Sequence, residues 1–129
     1  MIGSGFDPGA LLARSYSLPR GPRVCLRLAR PRDAAGIADL YWSHGHEPDE
    51  LELARLVRFD PRRRIVIAAT ALLDSVERVV GVGAIDLDDG STDSPSFVLV
   101  DEHLTEGLEQ LLSDALVGRA GVLTRGRAA

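Results

Sequence analysis

Two almost uninterrupted apolar runs in the middle of the chain constrain its fold most. Residues 64–71 read RIVIAATA, and residues 79–87 read VVGVGAIDL. Strands that are buried on both faces are nearly continuous in apolar residues, whereas half-exposed strands alternate. We therefore expect a buried strand over 64–71 with 79–87 as its antiparallel partner, in a sheet with helices on its faces.

The segment before these runs predicts a short hairpin followed by two helices. Residues 15–29 are extended around a turn cluster, LPRGP at 18–22, and their second half alternates in apolar residues, as a half-buried strand does. A first helix is predicted over 31–43, because Pro31 suits a first helical position and Asp33 suits the positive helix end. A second helix is predicted over 48–59, ending before an Asp-Pro pair.

The segment after the two runs predicts one more strand and one more helix. Residues 96–100 read SFVLV and follow an Asp-Asp-Gly-Ser turn. Apolar residues then recur at helical spacing over 105–117, and residues 121–125 suffice for one short strand. The Gly-rich residues 1–14 are expected to form a flexible arm, and 15–129 a single domain of mixed α/β class.

The charge distribution excludes several classes of partner. The net charge of −4 combines +3 in residues 1–64 with −7 in residues 65–129. Between positions 86 and 114 there are nine acidic residues and no arginine, so this stretch should repel nucleic acid and anionic membranes. No apolar run approaches the roughly 18–20 residues that span a bilayer.

Composition also predicts where the protein resides. Cys25 is the single cysteine and cannot form an internal disulfide, which fits a reducing, cytoplasmic setting. All 15 basic residues are arginine, which we interpret as the coding bias of a GC-rich bacterial genome.

Three sets of polar residues are candidate functional sites, and each has a plainer interpretation. His44 and His46 have the spacing of metal ligands, but two ligands do not fill a zinc site, so we predict no metal and solvated loop histidines. Glu102 or His103 is a candidate general base, or only part of a turn. The arginines at 62–64 could grip a phosphate, or form a solvated face.

The order of elements, together with the segments LRLARPRDAAGIADLY, VVGVGAIDL and SFVLVDEHL, resembles the GNAT superfamily of acetyl-CoA-dependent N-acetyltransferases. The first segment is similar to the opening strand and helix of that family, written around an R-x-x-x-P-x-D-A core. The nearest subgroup is the bacterial protein-acetyltransferase domains. The resemblance covers about residues 15–121 and implies a mainly antiparallel sheet flanked by helices.

The acyl-CoA loop of this family departs most from its usual form. The family has a [QR]-G-x-G-x-[GA] run, whose backbone N–H groups and following helix N-terminus hold a pyrophosphate. Residues 104–109 here read LTEGLE, so Gly107 is kept while Glu106 and Glu109 bring carboxylates to the phosphate positions. Like charges at ~4–5 Å repel by several kcal/mol at intermediate dielectric. The sequence therefore predicts a degenerate loop that is closed to CoA.

Two functional hypotheses follow from the resemblance. The favoured one is a non-catalytic acetyltransferase-like module, shortened at its C-terminus, without a bound cofactor. It would act through protein contacts or as a regulatory module, as a homodimer or with a protein partner on an exposed sheet edge. The alternative is an active N-acetyltransferase with its cleft completed by a partner or second copy. The resemblance then implies acetyl-CoA contacts at a set of backbone positions: Val98, Leu99, Val100, Thr105, Gly107 and Leu108.

Overall fold

The computed structural model describes residues 14–18, 22–88, 92–101 and 107–128. Within them the chain is a mixed α/β fold with a five-stranded sheet and three α-helices. The elements in chain order are β1 (Arg14–Tyr16), β2 (Val24–Leu28), a 3-10 turn (Pro31–Asp33), α1 (Ala34–Ser43), α2 (Glu50–Val57), β3 (Arg64–Leu73), β4 (Val76–Asp86), β5 (Phe97–Val100) and α3 (Leu108–Ala128).

The sheet is antiparallel throughout, in the order β1-β2-β3-β4-β5. The two predicted strands form a long antiparallel hairpin, β3 and β4, and both extend further toward their shared turn than expected. The register shifts between Ala69 and Thr70, so that Val80 is an extra residue on β4. Such a bulge adds twist to the strand that carries it.

Helices cover both faces of the sheet, which explains why its central strands are apolar on both sides. The helices α1 and α2 pack on one face and α3 packs on the other. The first face buries Ile37, Leu40, Leu56, Val57, Val66, Ala68, Val82 and Ala84. The second buries Leu26, Ile65, Ile67, Ile85, Leu108, Leu112, Leu116 and Ala120, among others.

The helix α3 approaches the sheet closely because β4 carries glycines beneath it. A Cβ atom on Gly83 would lie 2.8 Å from Leu116 Cδ1 and 3.3 Å from the Phe97 carbonyl oxygen. A Cβ atom on Gly81 would lie 2.9 Å from Leu108 Cδ2. The two glycines thus set the distance between this helix and the sheet.

The C-terminal segment corrects one expectation. The helix α3 continues to Ala128, so the short strand predicted for 121–125 is wrong. Ala120 is fully buried and Leu123 packs against the same core, so burial maintains the helix through Gly118 and Gly121. The arm predicted for residues 1–14 lies outside the described residues except for Arg14, with which β1 begins.

No helix in the described ranges is both long and apolar enough to cross a lipid bilayer.

Candidate functional site

The predicted cofactor contacts Val98, Leu99 and Val100 lie on β5, which is an edge strand of the sheet. Val98 pairs with Gly83, and Val100 pairs with Gly81. The Asp101 N–H donates to the Val80 carbonyl at 2.8 Å. Because backbone groups alternate in direction along an antiparallel strand, those of Leu99 point to β4 and those of Val98 and Val100 point to the open edge.

A histidine already uses part of this edge. The Nε2 atom of His44 lies 2.7 Å from the Val100 carbonyl oxygen, so the ring donates a hydrogen bond to it. His44 follows α1 directly, in the connection to α2, and this connection therefore reaches across the face of the sheet to its edge. The prediction that His44 is a solvated loop residue misses this contact.

Aromatic side chains surround the same end of α1. The ring of Tyr41 stacks on Phe97 of β5 at a centroid distance of 6.0 Å. The ring of His46 packs against Tyr41 at a centroid distance of 5.3 Å. His46 Nε2 also lies 3.3 Å from a carboxylate oxygen of Glu52. Burial, with a further contribution from the negative charge of Glu52, raises the pKa of the Tyr41 hydroxyl. Among the described residues, no group of three or more His, Cys, Asp or Glu side chains is arranged to hold a metal ion.

Of the predicted acyl-CoA loop at 104–109, the described residues are 107–109, which lie at the start of α3. Gly107 has a φ of +89°, a conformation that favours glycine, and Leu108 is fully buried against the sheet. Glu109 is exposed in the first helical turn, where its carboxylate interacts favourably with the positive helix end. The other predicted residues of this region, Glu102, His103, Thr105 and Glu106, lie outside the described residues.

A groove of about 830 Å³ runs between α1 and the first half of β4, which we call the α1–β4 groove. Its first wall consists of Arg32 in the 3-10 turn and of Gly36, Asp39, Leu40 and Ser43 on one side of α1. The opposite wall consists of Leu73 and the five residues Val76, Glu77, Arg78, Val79 and Val80, and Asp101 lies at one end. Nothing in the linear sequence marks this groove, because elements that are distant in sequence enclose it.

A buried ion pair closes the groove where β2 leads into α1. Two guanidinium nitrogens of Arg27 each donate to a carboxylate oxygen of Asp33 at 2.6 Å. Asp33 is only 4% exposed and also accepts the Arg30 N–H at 2.8 Å. On the open side, Arg27 donates to Glu77 of β4 at 3.1 Å. The network therefore connects β2, the start of α1 and β4.

This network shifts the ionisation of both partners toward the charged forms. Burial would raise the pKa of Asp33, but the hydrogen bonds from Arg27 and Arg30, with nearby positive charge, hold it below the usual range. The hydrogen bond to Asp33 raises the pKa of Arg27. Arg27 and Asp33 are the R and the D of the R-x-x-x-P-x-D-A core. The spacing of this core places the two side chains in direct contact.

The three arginines at 62–64, which lead into β3, form no joint site. Arg64 pairs with Asp86 at 2.7 Å, whereas Arg62 contacts Asp60 in its own turn at 3.3 Å. The backbone N–H of Arg62 and its side chain lower the pKa of Asp60. The structure therefore fits the expected solvated face better than a phosphate grip.

Comparison with known proteins provides no family assignment. A scan against models of protein families, a search of curated proteins and a search of solved structures all find no match to this chain.

Proposed function

We propose that this chain is a GNAT-like domain of bacterial type that does not transfer acetyl groups and acts in the cytoplasm through protein contacts. The order in which β2 is followed by two α-helices, three antiparallel strands and a further helix supports the family part of the proposal. A fold-level resemblance does not establish an activity, so the site must supply the functional argument.

The position of Glu109 carries the non-catalytic part of the proposal. A helix N-terminus binds a phosphate through free N–H groups and a positive end. In α3 a carboxylate of the chain itself occupies the first turn, remains exposed, and repels a second anion placed nearby. With His44 bound to the Val100 carbonyl, a second position that the resemblance assigns to acetyl-CoA is also engaged within the chain.

Protein contact through a sheet edge is supported by the topology. The strand β5 has only four residues and no further strand of the described chain pairs with its outer side. Unpaired edges readily add another strand. We propose a homodimer or a complex with another protein chain on such an edge, without nucleic acid and without a membrane. Light scattering at moderate salt tests the homodimer, which a strictly monomeric mass would contradict.

The runner-up function is an active N-acetyltransferase. One observation favours it: the outward backbone groups of Val98 remain available on β5 for hydrogen bonds to an extended ligand arm. Acetyl transfer would then proceed by attack of an oriented neutral amine on the thioester, with Glu102 or His103 as the candidate base.

Calorimetric titration with acetyl-CoA and with CoA separates the two functions. We expect no binding to the native protein, and a gain of CoA binding in the variant that combines Glu106→Arg with Glu109→Gly. Glu50→Gly is the matched control, because it also removes a glutamate from the first turn of a helix, but from α2 instead of α3. Micromolar binding to the native protein would contradict the non-catalytic proposal.

A further inference from the structure

The first half of β4 is unpaired on its outer side among the described residues. The strand β5 pairs with β4 only from Gly81 to Ala84, although β4 begins at Val76. The Asp101 N–H on Val80 is the last backbone contact that continues the line of β5. The four residues Val76–Val79 therefore present a strand edge beyond the end of β5.

The turn of the hairpin shows which backbone groups face this opening. Asp74 and Ser75 form a two-residue loop with φ of 52° and 66°, as a type I′ turn requires. In such a hairpin the pair next to the loop, Leu73 and Val76, is hydrogen-bonded. By alternation, the N–H and C=O groups of Glu77 and Val79 point away from β3.

The α1–β4 groove lies along this open edge. Val76, Glu77, Arg78, Val79 and Val80 all line it, although alternate side chains of a strand point to opposite faces. The cavity therefore reaches the outer edge of β4, and it also extends over the face of the sheet to Leu73 of β3 and Arg27 of β2. Its volume of about 830 Å³ is in the range of sites that enclose ligands.

We propose that the α1–β4 groove binds an extended peptide segment, which adds to β4 as a further antiparallel strand in line with β5. This inference names the contact surface and the partner class for the proposed function, and it rests on that function. Backbone hydrogen bonds to Glu77 and Val79 would hold the peptide, and side chains would select it.

The charges on the edge define the peptide. A residue directly opposite another across two strands lies within ~4.5–5.5 Å at Cβ, so opposite charges are favoured there. A basic residue suits the position opposite Glu77, an acidic residue suits the position opposite Arg78, and apolar residues suit the positions opposite Val76 and Val79. Read from its N-terminus, the peptide has the pattern apolar–acidic–basic–apolar.

A second copy of the chain does not fit this edge. In a symmetric antiparallel pairing, the register that uses both outward residues of this edge joins the backbone groups of Glu77 to those of Val79 in the partner. This register places Arg78 directly opposite its own copy, where like charges repel. A shift by one residue would use the backbone groups of Arg78, which pair with Ala71 of β3. The groove therefore favours a foreign segment over self-association.

The proposal is tested with two capped synthetic peptides, whose central residues are Val-Glu-Lys-Val and Val-Lys-Lys-Val. Binding is followed by backbone amide chemical shifts in the native protein, in Arg78→Glu and in Arg62→Glu. The second variant is the matched control, because it carries the same net charge but changes an exposed arginine outside the groove.

The native protein should bind the first peptide about three- to tenfold more tightly than the second, as a directly opposed charge pair allows. Arg78→Glu should reverse this preference, and Arg62→Glu should preserve it. Methylation of the peptide nitrogen opposite Glu77 should abolish binding, whereas methylation of the nitrogen opposite Arg78 should not.

Two results would overturn the proposal. One is the absence of saturable shifts at the Glu77 and Val79 amides with either peptide up to about 5 mM, where even weak binding is detectable. The other is an equal effect of Arg78→Glu and Arg62→Glu on the preference for the first peptide over the second. The acetyl-CoA titration is independent of both, so a failure here is distinguishable from a failure of the proposed function.

Discussion

Replacement of Asp33 by asparagine tests how much the ion pair with Arg27 stabilises the fold. The change keeps the size of the side chain but removes the charge that receives two hydrogen bonds of 2.6 Å. Removal of one partner from a buried pair costs ~3–5 kcal/mol. Because the Arg27 side chain is 15% exposed and retains Glu77, we expect the lower end, about 3 kcal/mol.

Urea unfolding followed by far-ultraviolet circular dichroism measures this loss. With a slope of about 2 kcal/mol/M, the midpoint should fall by roughly 1.5 M while the slope stays unchanged. Glu77→Gln is the control and should lose less than about 1 kcal/mol, because Glu77 is the exposed partner of the network. A loss for Asp33→Asn no larger than that of Glu77→Gln would refute the assigned role.

The pH dependence of this loss follows from the lowered pKa of Asp33. A carboxyl with a depressed folded pKa stabilises the protein fully above its unfolded pKa of about 3.9. The contribution disappears as the pH falls through the lower folded pKa. The difference between native protein and Asp33→Asn should therefore be constant above about pH 5 and narrow below pH ~4.

Two further substitutions test the close packing of α3 and the strained hairpin. Gly83→Ala should destabilise by about 1–3 kcal/mol, since its Cβ would lie 2.8 Å from Leu116, whereas Gly121→Ala meets nothing within 4 Å and should be neutral or stabilising. An equal effect of both in thermal unfolding would contradict the packing argument. Ser75→Gly should stabilise by about 1 kcal/mol, because Ser75 and Asp74 both have positive φ. A lower melting temperature for Ser75→Gly than for the native protein would contradict this expectation.

The sequence predicts the elements whose patterns are local. The two apolar runs correspond to β3 and β4, and the antiparallel pairing predicted for them is confirmed. Both early helices occur near their predicted positions, because proline, acidic residues and apolar spacing define them within a few residues. The tip of the β3–β4 hairpin was not predicted, since Asp74-Ser75 lacks the glycine that usually marks a type I′ turn.

Features that depend on distant contacts could not be predicted from the pattern. The helix α3 ends beyond the predicted residue 117, because the burial of Ala120 against the sheet maintains the helix past the local apolar pattern. The α1–β4 groove exists because β5 is shorter than β4, and strand pairing length is a property of the assembled sheet. The contact of His44 with Val100 spans 56 residues and leaves no local signal.

The central claim, that the chain does not bind acetyl-CoA, is tested most directly at the residues where binding would occur. The measurement is a titration of ¹⁵N-labelled native protein with acetyl-CoA, followed at the backbone amides of Val98, Val100, Gly107 and Leu108. The account predicts no saturable shift at these amides up to about 1 mM acetyl-CoA. Saturable shifts at all four with a micromolar dissociation constant would contradict it.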